Sequence, residues 1–93
     1  MAGPSEQRRV TYTGHVQGVG FRYTSRNFAS GFDVTGYVKN LPDGRVELIA
    51  EGLPAKLNEL LAEIRRHFAG QIRDELIDIR PASGQFDAFE IRH

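Results

Sequence analysis

Residues 14–22 of this 93-residue chain read Gly14-His15-Val16-Gln17-Gly18-Val19-Gly20-Phe21-Arg22. Apolar and polar side chains alternate from Arg9 to Val16, which is typical of a half-buried β-strand. Apolar side chains then repeat at helical spacing from Phe21 to Phe32, and Gly31 is placed as a helix C-cap. This stretch therefore joins a predicted first strand to a predicted first helix.

A hairpin and a second helix follow. Residues 34–39 and 45–50 alternate in the strand pattern, and Leu41-Pro42-Asp43-Gly44 between them fits a type I turn. The next helix is predicted to open at Pro54, which suits a first turn, and to stop at Gly70. Its apolar face consists of Leu57, Leu60, Leu61, Ile64 and Phe68.

Two more strands complete the pattern. One is predicted from about Glu75 to Arg80, with Ile77 and Ile79 as its apolar positions and Pro81 as its end. A short last strand lies within Phe86 to Arg92. The predicted order is thus β-α-β-β-α-β with an additional terminal strand.

This order predicts an α+β fold, the ferredoxin-like split βαβ sandwich. Each helix must bury an apolar stripe and each strand has one apolar face, so both helices are expected on one face of an antiparallel sheet. The opposite face of the sheet is expected to be wet. Residues 1–7 are interpreted as a flexible N-terminal tail and residues 8–93 as a single domain.

Composition excludes several classes of function. The 12 Lys+Arg balance the 12 Asp+Glu, so no overall field attracts nucleic acid or an anionic membrane. The chain has no cysteine, which excludes disulfides, thiolate nucleophiles and thiolate metal sites. His15, His67 and His93 are too dispersed to indicate a metal site, and no cofactor is expected. The first residues lack the apolar core of a signal peptide, so a cytoplasmic protein is expected.

The glycine-rich joint is the first candidate site. Glycines between a strand and a helix N-terminus allow successive backbone N–H groups to point inward, and such a concavity binds anions. The positive charge of Arg22 lies in the first helical turn, where its interaction with the helix dipole is unfavourable. A bound phosphate would explain that placement. The alternatives are a tight turn that is rich in glycine for steric reasons alone and a solvated surface arginine. The P-loop and dinucleotide-binding patterns are not satisfied.

Asn40, at the end of the second strand, is the second candidate. Its carboxamide can both donate and accept, so it can orient a water molecule without titrating. The alternative is that Asn40 satisfies the backbone of the adjacent turn. In this topology the first and second strands run parallel, so Arg22 and Asn40 are expected at the same edge of the sheet.

Three segments together resemble the acylphosphatase family: residues 14–22, Gly36-Tyr37-Val38-Lys39-Asn40 and Asp43-Gly44-Arg45-Val46-Glu47. The resemblance implies hydrolysis of carboxyl–phosphate anhydrides on a ferredoxin-like fold without metal or cofactor. By matching position it implies that Arg22 binds phosphate and that Asn40 positions the attacking water. The phosphate-cradling loop corresponds to Gln17, Gly18, Val19, Gly20 and Phe21.

The chain departs from the family pattern at a few positions. Tyr37 replaces a common tryptophan, Gly70-Gln71 stands where Gly-Pro is common, and Asp74 falls where an apolar strand residue is expected. These departures affect the start of the fourth strand rather than the two candidate residues.

The sequence therefore predicts an acylphosphatase that acts on small acyl phosphates by direct attack of water, with no covalent intermediate. Inorganic phosphate is the expected product and inhibitor, and a monomer is expected. One alternative is a regulatory module that binds phosphate or carbamoyl phosphate without turnover. A less favoured alternative is an RNA-binding module that uses Tyr37, Lys39 and Arg45 on the open sheet face.

Overall fold

The computed structural model describes residues 4–93, which form five strands and two helices. In chain order these are β1 (Glu6–Gly14), α1 (Phe21–Ala29), β2 (Thr35–Asn40), β3 (Val46–Gly52), α2 (Pro54–His67), β4 (Ile72–Pro81) and β5 (Phe89–Arg92).

The strands form one sheet in the order β4-β1-β3-β2-β5. The pairs β1–β3, β1–β4 and β2–β3 are antiparallel, so β1 and β2 run in the same direction, as expected. The predicted ferredoxin-like α+β fold is confirmed. The sheet is mixed rather than antiparallel, however, because β5 pairs with β2 in parallel.

Both helices pack on one face of the sheet. Alternate side chains of the strands are buried in a core that they share with α1 and α2. Examples are Val10 and Tyr12 in β1 and Leu48 in β3. All five predicted apolar residues of α2 are buried. Each fully buried large side chain contributes about 1.5–3 kcal/mol, so this layer supplies most of the favourable free energy of folding.

Several element boundaries differ from the sequence prediction. β1 begins at Glu6, which pairs with Gly52 on one side and Pro81 on the other, so the last part of the predicted tail belongs to the sheet. The first three residues of that tail lie outside the described residues. Helix α1 ends at Ala29, before Gly31. The N–H groups of Gly31 and Phe32 bond to carbonyls three residues back, and Gly31 N donates to Phe28 O over 3.0 Å.

β4 begins at Ile72, earlier than predicted, and includes Asp74, which pairs with Thr13. β4 is an outer strand of the sheet. Ile79, on the same face as the buried Val10, is 57% exposed, and Leu76, on the opposite open face, is 70% exposed. The apolar pattern at Ile77 and Ile79 predicted a strand correctly, but it did not indicate a core position.

The open face of the sheet is partly covered by the connection from β4 to β5. Glu51 in β3 accepts hydrogen bonds from Ser83 N (2.7 Å), Gly84 N (3.0 Å) and the Gln7 side chain (2.7 Å). Burial alone would raise the pKa of the Glu51 carboxyl, but these hydrogen bonds hold that pKa below its ordinary value. The face expected to be wet is thus crossed by a segment fixed to a buried carboxylate.

Candidate active site

A pocket of about 500 Å³ opens at the edge of the sheet where β1 and β2 end. Residues from the loop after β1, from α1, from the end of β2 and from β5 surround it. Its lining consists of Val16, Gly18, Gly20, Phe21, Arg22, Tyr23, Arg26, Asn40, Phe89, Glu90, Ile91 and His93.

The loop before α1 owes its shape to two glycines. Gly18 and Gly20 both have a φ of 78°, in the left-handed region, and Val19 between them does not have a positive φ. A Cβ atom at either glycine would meet nothing within 4 Å, so glycine is required by the backbone conformation and not by crowding. Such an alternation of conformations makes the concave backbone that binds anions.

Arg22 is the second residue of α1 and is half-buried at the pocket. Its Nη1 donates to the carbonyl oxygen of Arg92 over 3.3 Å and lies 3.2 Å from Nδ1 of His93. No acidic residue occupies the first turn of this helix. The guanidinium is therefore held at the positive end of α1 by groups that do not neutralise it.

Asn40 ends β2 and lines the same pocket. The neighbouring turn is satisfied without it: Leu41 N donates to Arg45 O over 2.8 Å, and the Asp43 carboxylate accepts from Arg45 N over 3.1 Å. Within residues 4–93 the Asn40 carboxamide makes no hydrogen bond, so it is available to a molecule in the pocket. This geometry does not support the alternative that Asn40 serves the turn backbone.

Gln17 ties the loop to the turn that follows Asn40. Its Nε2 donates to Leu41 O (2.8 Å) and to Arg45 O (2.9 Å). The side chain is thus directed at the turn rather than into the pocket. Sequence reasoning placed Gln17 in the loop but gave no sign of this link, because the partners are backbone carbonyls far along the chain.

Apolar side chains at the start of α1 and in the loop before it anchor the site to the core. Phe21 is 2% exposed, and its ring centroid lies 4.8 Å from that of Tyr12 and 4.6 Å from that of Phe68. Val19 packs against the core cluster and is not among the pocket-lining residues. Apolar side chains therefore hold the loop against the core, while its backbone at the two glycines faces the pocket.

Sequence reasoning missed the contribution of β5. The sequence pattern assigned no role to His93, yet it contacts Arg22, and Phe89, Glu90 and Ile91 line the pocket beside it. The direction of β5 would have indicated this contribution. Because β5 runs parallel to β2, it ends at the same edge of the sheet as Asn40.

Other predicted features lie away from the pocket. His15 is exposed and donates its backbone N–H to Gln71 O over 2.9 Å. His67 ends α2 and makes edge contacts with Phe28 and Phe68. Residues 4–93 contain no group of three or more His, Asp or Glu side chains that could hold a metal ion, and neither helix in this range is long and apolar enough to cross a bilayer.

The open sheet face does not offer a free aromatic platform at Tyr37. Arg92 stacks on its ring at 4.2 Å, Phe86 lies 5.9 Å away, and its hydroxyl donates to Glu47 over 2.7 Å. The pKa of the Tyr37 hydroxyl is raised, first by burial and second by this hydrogen bond to Glu47. Because base stacking requires an accessible ring, this arrangement disfavours the RNA-binding alternative.

Comparison with known proteins agrees with this geometry. The family model described as Acylphosphatase matches residues 8–91. The acylphosphatase of Solibacter usitatus (strain Ellin6076) is 40% identical over 89 residues, which cover 96% of this chain and 93% of the relative. That of Nocardia farcinica (strain IFM 10152) is 46% identical over 81 residues, covering 85% and 80%.

Solved structures agree as well. The crystal structure of acylphosphatase from Bacillus subtilis matches with a TM-score of 0.86 and 30% identity, covering 95% of this chain and 99% of that one. The HypF structure from T. kodakarensis shares the fold with a TM-score of 0.81 at 24% identity, but the match covers only 12% of its length. This chain therefore belongs to the acylphosphatase family.

Proposed function

We propose that this chain, an acylphosphatase by family, hydrolyses small acyl phosphates by direct attack of a water molecule on phosphorus. The proposal is carried by one observation: Arg22, Asn40 and the left-handed glycines Gly18 and Gly20 all line the same pocket. They come from the loop after β1, from α1 and from β2, and together they supply what this reaction requires.

The loop and Arg22 are assigned to the phosphoryl group. Backbone N–H groups of residues 17–21 bind some of its oxygens at the N-terminus of α1, and the guanidinium fork binds others. In phosphoryl transfer the charge is spread over the equatorial oxygens, so donors fixed in advance stabilise the transition state. Gln17 holds the loop in place through the two carbonyls of the turn.

Asn40 is assigned to the attacking water. The water oxygen forms a bond to phosphorus as the bond from phosphorus to the acyl oxygen breaks, and both protons of the water leave with the phosphate. The products are a carboxylate and dihydrogen phosphate, so charge and atoms balance. The carboxylate leaving group has a conjugate acid of pKa about 4, so no general acid is required.

Steady-state kinetics with benzoyl phosphate test these roles. Arg22→Ala is expected to lower kcat/KM by about a hundredfold or more and to weaken inhibition by inorganic phosphate, since it removes a charge-assisted contact. Asn40→Ala is expected to lower kcat by a similar factor while the inhibition constant of phosphate changes little. Phosphate should inhibit competitively, and a chelator should have no effect.

Matched controls are available on exposed surfaces. Arg66→Ala on α2 and Asn27→Ala on α1 remove the same side-chain types away from the loop, and both should retain the kinetics of the unaltered protein. Unchanged kinetics in Arg22→Ala or Asn40→Ala would overturn the role of that residue. Phosphate binding without any turnover would instead favour the regulatory-module alternative.

We also propose that the protein is monomeric and cytoplasmic. The outer strand β4 carries the charged side chains Arg73, Asp74, Asp78 and Arg80, which oppose edge-to-edge pairing. Sedimentation velocity tests the monomer, and cell fractionation tests the location.

A further inference from the structure

The pocket is larger than the proposed phosphate site needs. A water molecule occupies about 30 Å³ in the liquid, so a phosphoryl group and one water fill only a fraction of a volume of about 500 Å³. The remaining space lies beside α1 and β5 and is the natural place for the acyl group.

This remaining space contains a second cation. Arg26 lines the pocket four residues after Arg22, on the same face of α1, and is half-buried. Within the described chain its side chain forms no ion pair and no hydrogen bond. Its recorded contact is with the Tyr23 ring, whose centroid lies 5.0 Å from the guanidinium carbon.

The surrounding charges leave Arg26 available to an anion. Helix α1 contains no acidic residue, and two arginines on one helical face repel each other. The carboxylate in the pocket wall belongs to Glu90, which is paired with Arg92 over 3.3 Å. Arg26 also lies in the last turn of α1, where a cation is favoured by the helix dipole, so its charge is compatible with the helix end.

We propose that Arg26 binds a second anionic group on the acyl part of the substrate, so that acyl phosphates with a carboxylate or phosphate distant from the reacting phosphorus are preferred. This inference rests on the proposed function, because it takes Arg22 as the group that binds the reacting phosphate. A helix rises about 1.5 Å per residue, which places the backbone of Arg26 about 6 Å from that of Arg22 along the axis.

A rigid aromatic acyl group holds a distal substituent at a fixed distance from phosphorus. In a benzoyl phosphate, standard bond lengths place a meta substituent about 7 Å from phosphorus. Tyr23 beside Arg26, together with Phe89 and Ile91 across the pocket, offers apolar surface to such a ring. Meta-substituted benzoyl phosphates therefore serve as probes in which only the distal group changes.

The test compares kcat/KM for meta-carboxybenzoyl, meta-phosphonobenzoyl and meta-methylbenzoyl phosphate. The unaltered protein is expected to prefer at least one anionic probe over the methyl probe by roughly five- to tenfold, the range for a half-buried charge-assisted contact. Which anionic probe is preferred identifies the distal group as carboxylate, phosphate or either. Arg26→Gln should reduce the ratio of kcat/KM for the anionic probe to kcat/KM for the methyl probe to about one. Arg26→Lys should retain most of this ratio.

The matched control is Arg66→Gln, an exposed arginine on α2 that should leave the ratio unchanged. A ratio near one for both anionic probes in the unaltered protein would overturn the inference, as would a ratio that survives Arg26→Gln. A loss of structure in Arg26→Gln would lower all three rates together and would not change the ratio. No hydrolysis even of the methyl probe would overturn the proposed function, and with it this inference.

Discussion

At the scale of single residues, Gln17 connects the two halves of the site. Its two hydrogen bonds, to Leu41 O and Arg45 O, hold the loop that faces phosphate against the turn that follows Asn40. Both carbonyls also accept a backbone N–H from the turn, so the turn can form without Gln17. The Gln17 side chain therefore mainly fixes the position of the loop relative to the turn.

We expect Gln17→Leu to lower kcat/KM for benzoyl phosphate by about tenfold, because a displacement of roughly 1 Å is costly to an aligned attack. The free energy of unfolding should fall by about 1–2 kcal/mol, as is usual for two lost hydrogen bonds. Kinetics and urea denaturation measure the two effects. Gln85→Leu, at an exposed position away from the pocket, is the control, and a Gln17→Leu protein with full activity would show that the link is dispensable.

Residue chemistry explains which site residues could be predicted. Arg22 stands out because a cation at the positive end of a helix is unfavourable without a partner, and Asn40 stands out once the topology brings it to the same edge. The direction of the Gln17 side chain could not be predicted, since no sequence pattern identifies a backbone carbonyl as its partner. The role of Arg22 and Asn40 in catalysis stays a prediction.

At the scale of elements, the connection from β4 to β5 depends on Glu51. This carboxylate is 5% exposed and accepts hydrogen bonds from two backbone N–H groups of the connection as well as from Gln7. β5 carries one wall of the pocket, so Glu51 acts on the site through the segment that delivers β5.

The depressed pKa of Glu51 makes part of the stability depend on pH. A carboxyl whose pKa is lower in the folded state contributes stability above its ordinary value of 4.5, and this contribution is lost as pH falls through the folded value. Glu51→Gln should therefore cost about 1–3 kcal/mol at pH 7. The difference between the variant and the unaltered protein should shrink below the ordinary pKa.

Urea denaturation at several pH values measures this difference. Glu59→Gln is the matched control, because that exposed carboxylate only pairs with Lys56 on α2 and should change stability by less than about 1 kcal/mol at any pH. A Glu51→Gln penalty that is the same at all pH values would contradict the assignment.

The sequence pattern did not predict those properties of a strand that depend on its position in the sheet and on the strand it pairs with. Periodicity identified both helices and the central strands, since their apolar faces are buried against each other. The direction of β5 and the exposure of Ile79 depend on where the chain places an outer strand, which a local pattern does not specify. Glu6 and Gln7 are polar, so nothing local indicated that they pair on both sides.

At the scale of the whole molecule, the exposed edge of β4 determines whether copies associate. Leu76, Ile77 and Ile79 are exposed there, and Asp78 interrupts them. Asp78→Val would create four consecutive apolar residues on an outer strand, which favours pairing between chains.

We expect Asp78→Val to associate at micromolar concentrations while the unaltered protein sediments as a monomer. Leu76→Lys should remain monomeric, with a free energy of unfolding within about 0.5 kcal/mol of the original, since that side chain is 70% exposed. Asp87→Val, in an exposed loop, controls for the general effect of an added apolar residue. A monomeric Asp78→Val protein would show that the backbone of β4 is protected in another way.

The route of the chain across the sheet divides the cavity between two separate stretches of sequence. Residues up to Asn40 supply the parts assigned to phosphate and water and one wall beside the acyl group, with Tyr23 and Arg26. The opposite wall consists of residues 89–93, which the chain reaches only after the crossover. Substitutions in this final segment would alter that wall and also the contacts that Arg92 O and His93 make with Arg22. Engineering of substrate selectivity there therefore has to keep the backbone of Arg92 and the ring of His93 in place.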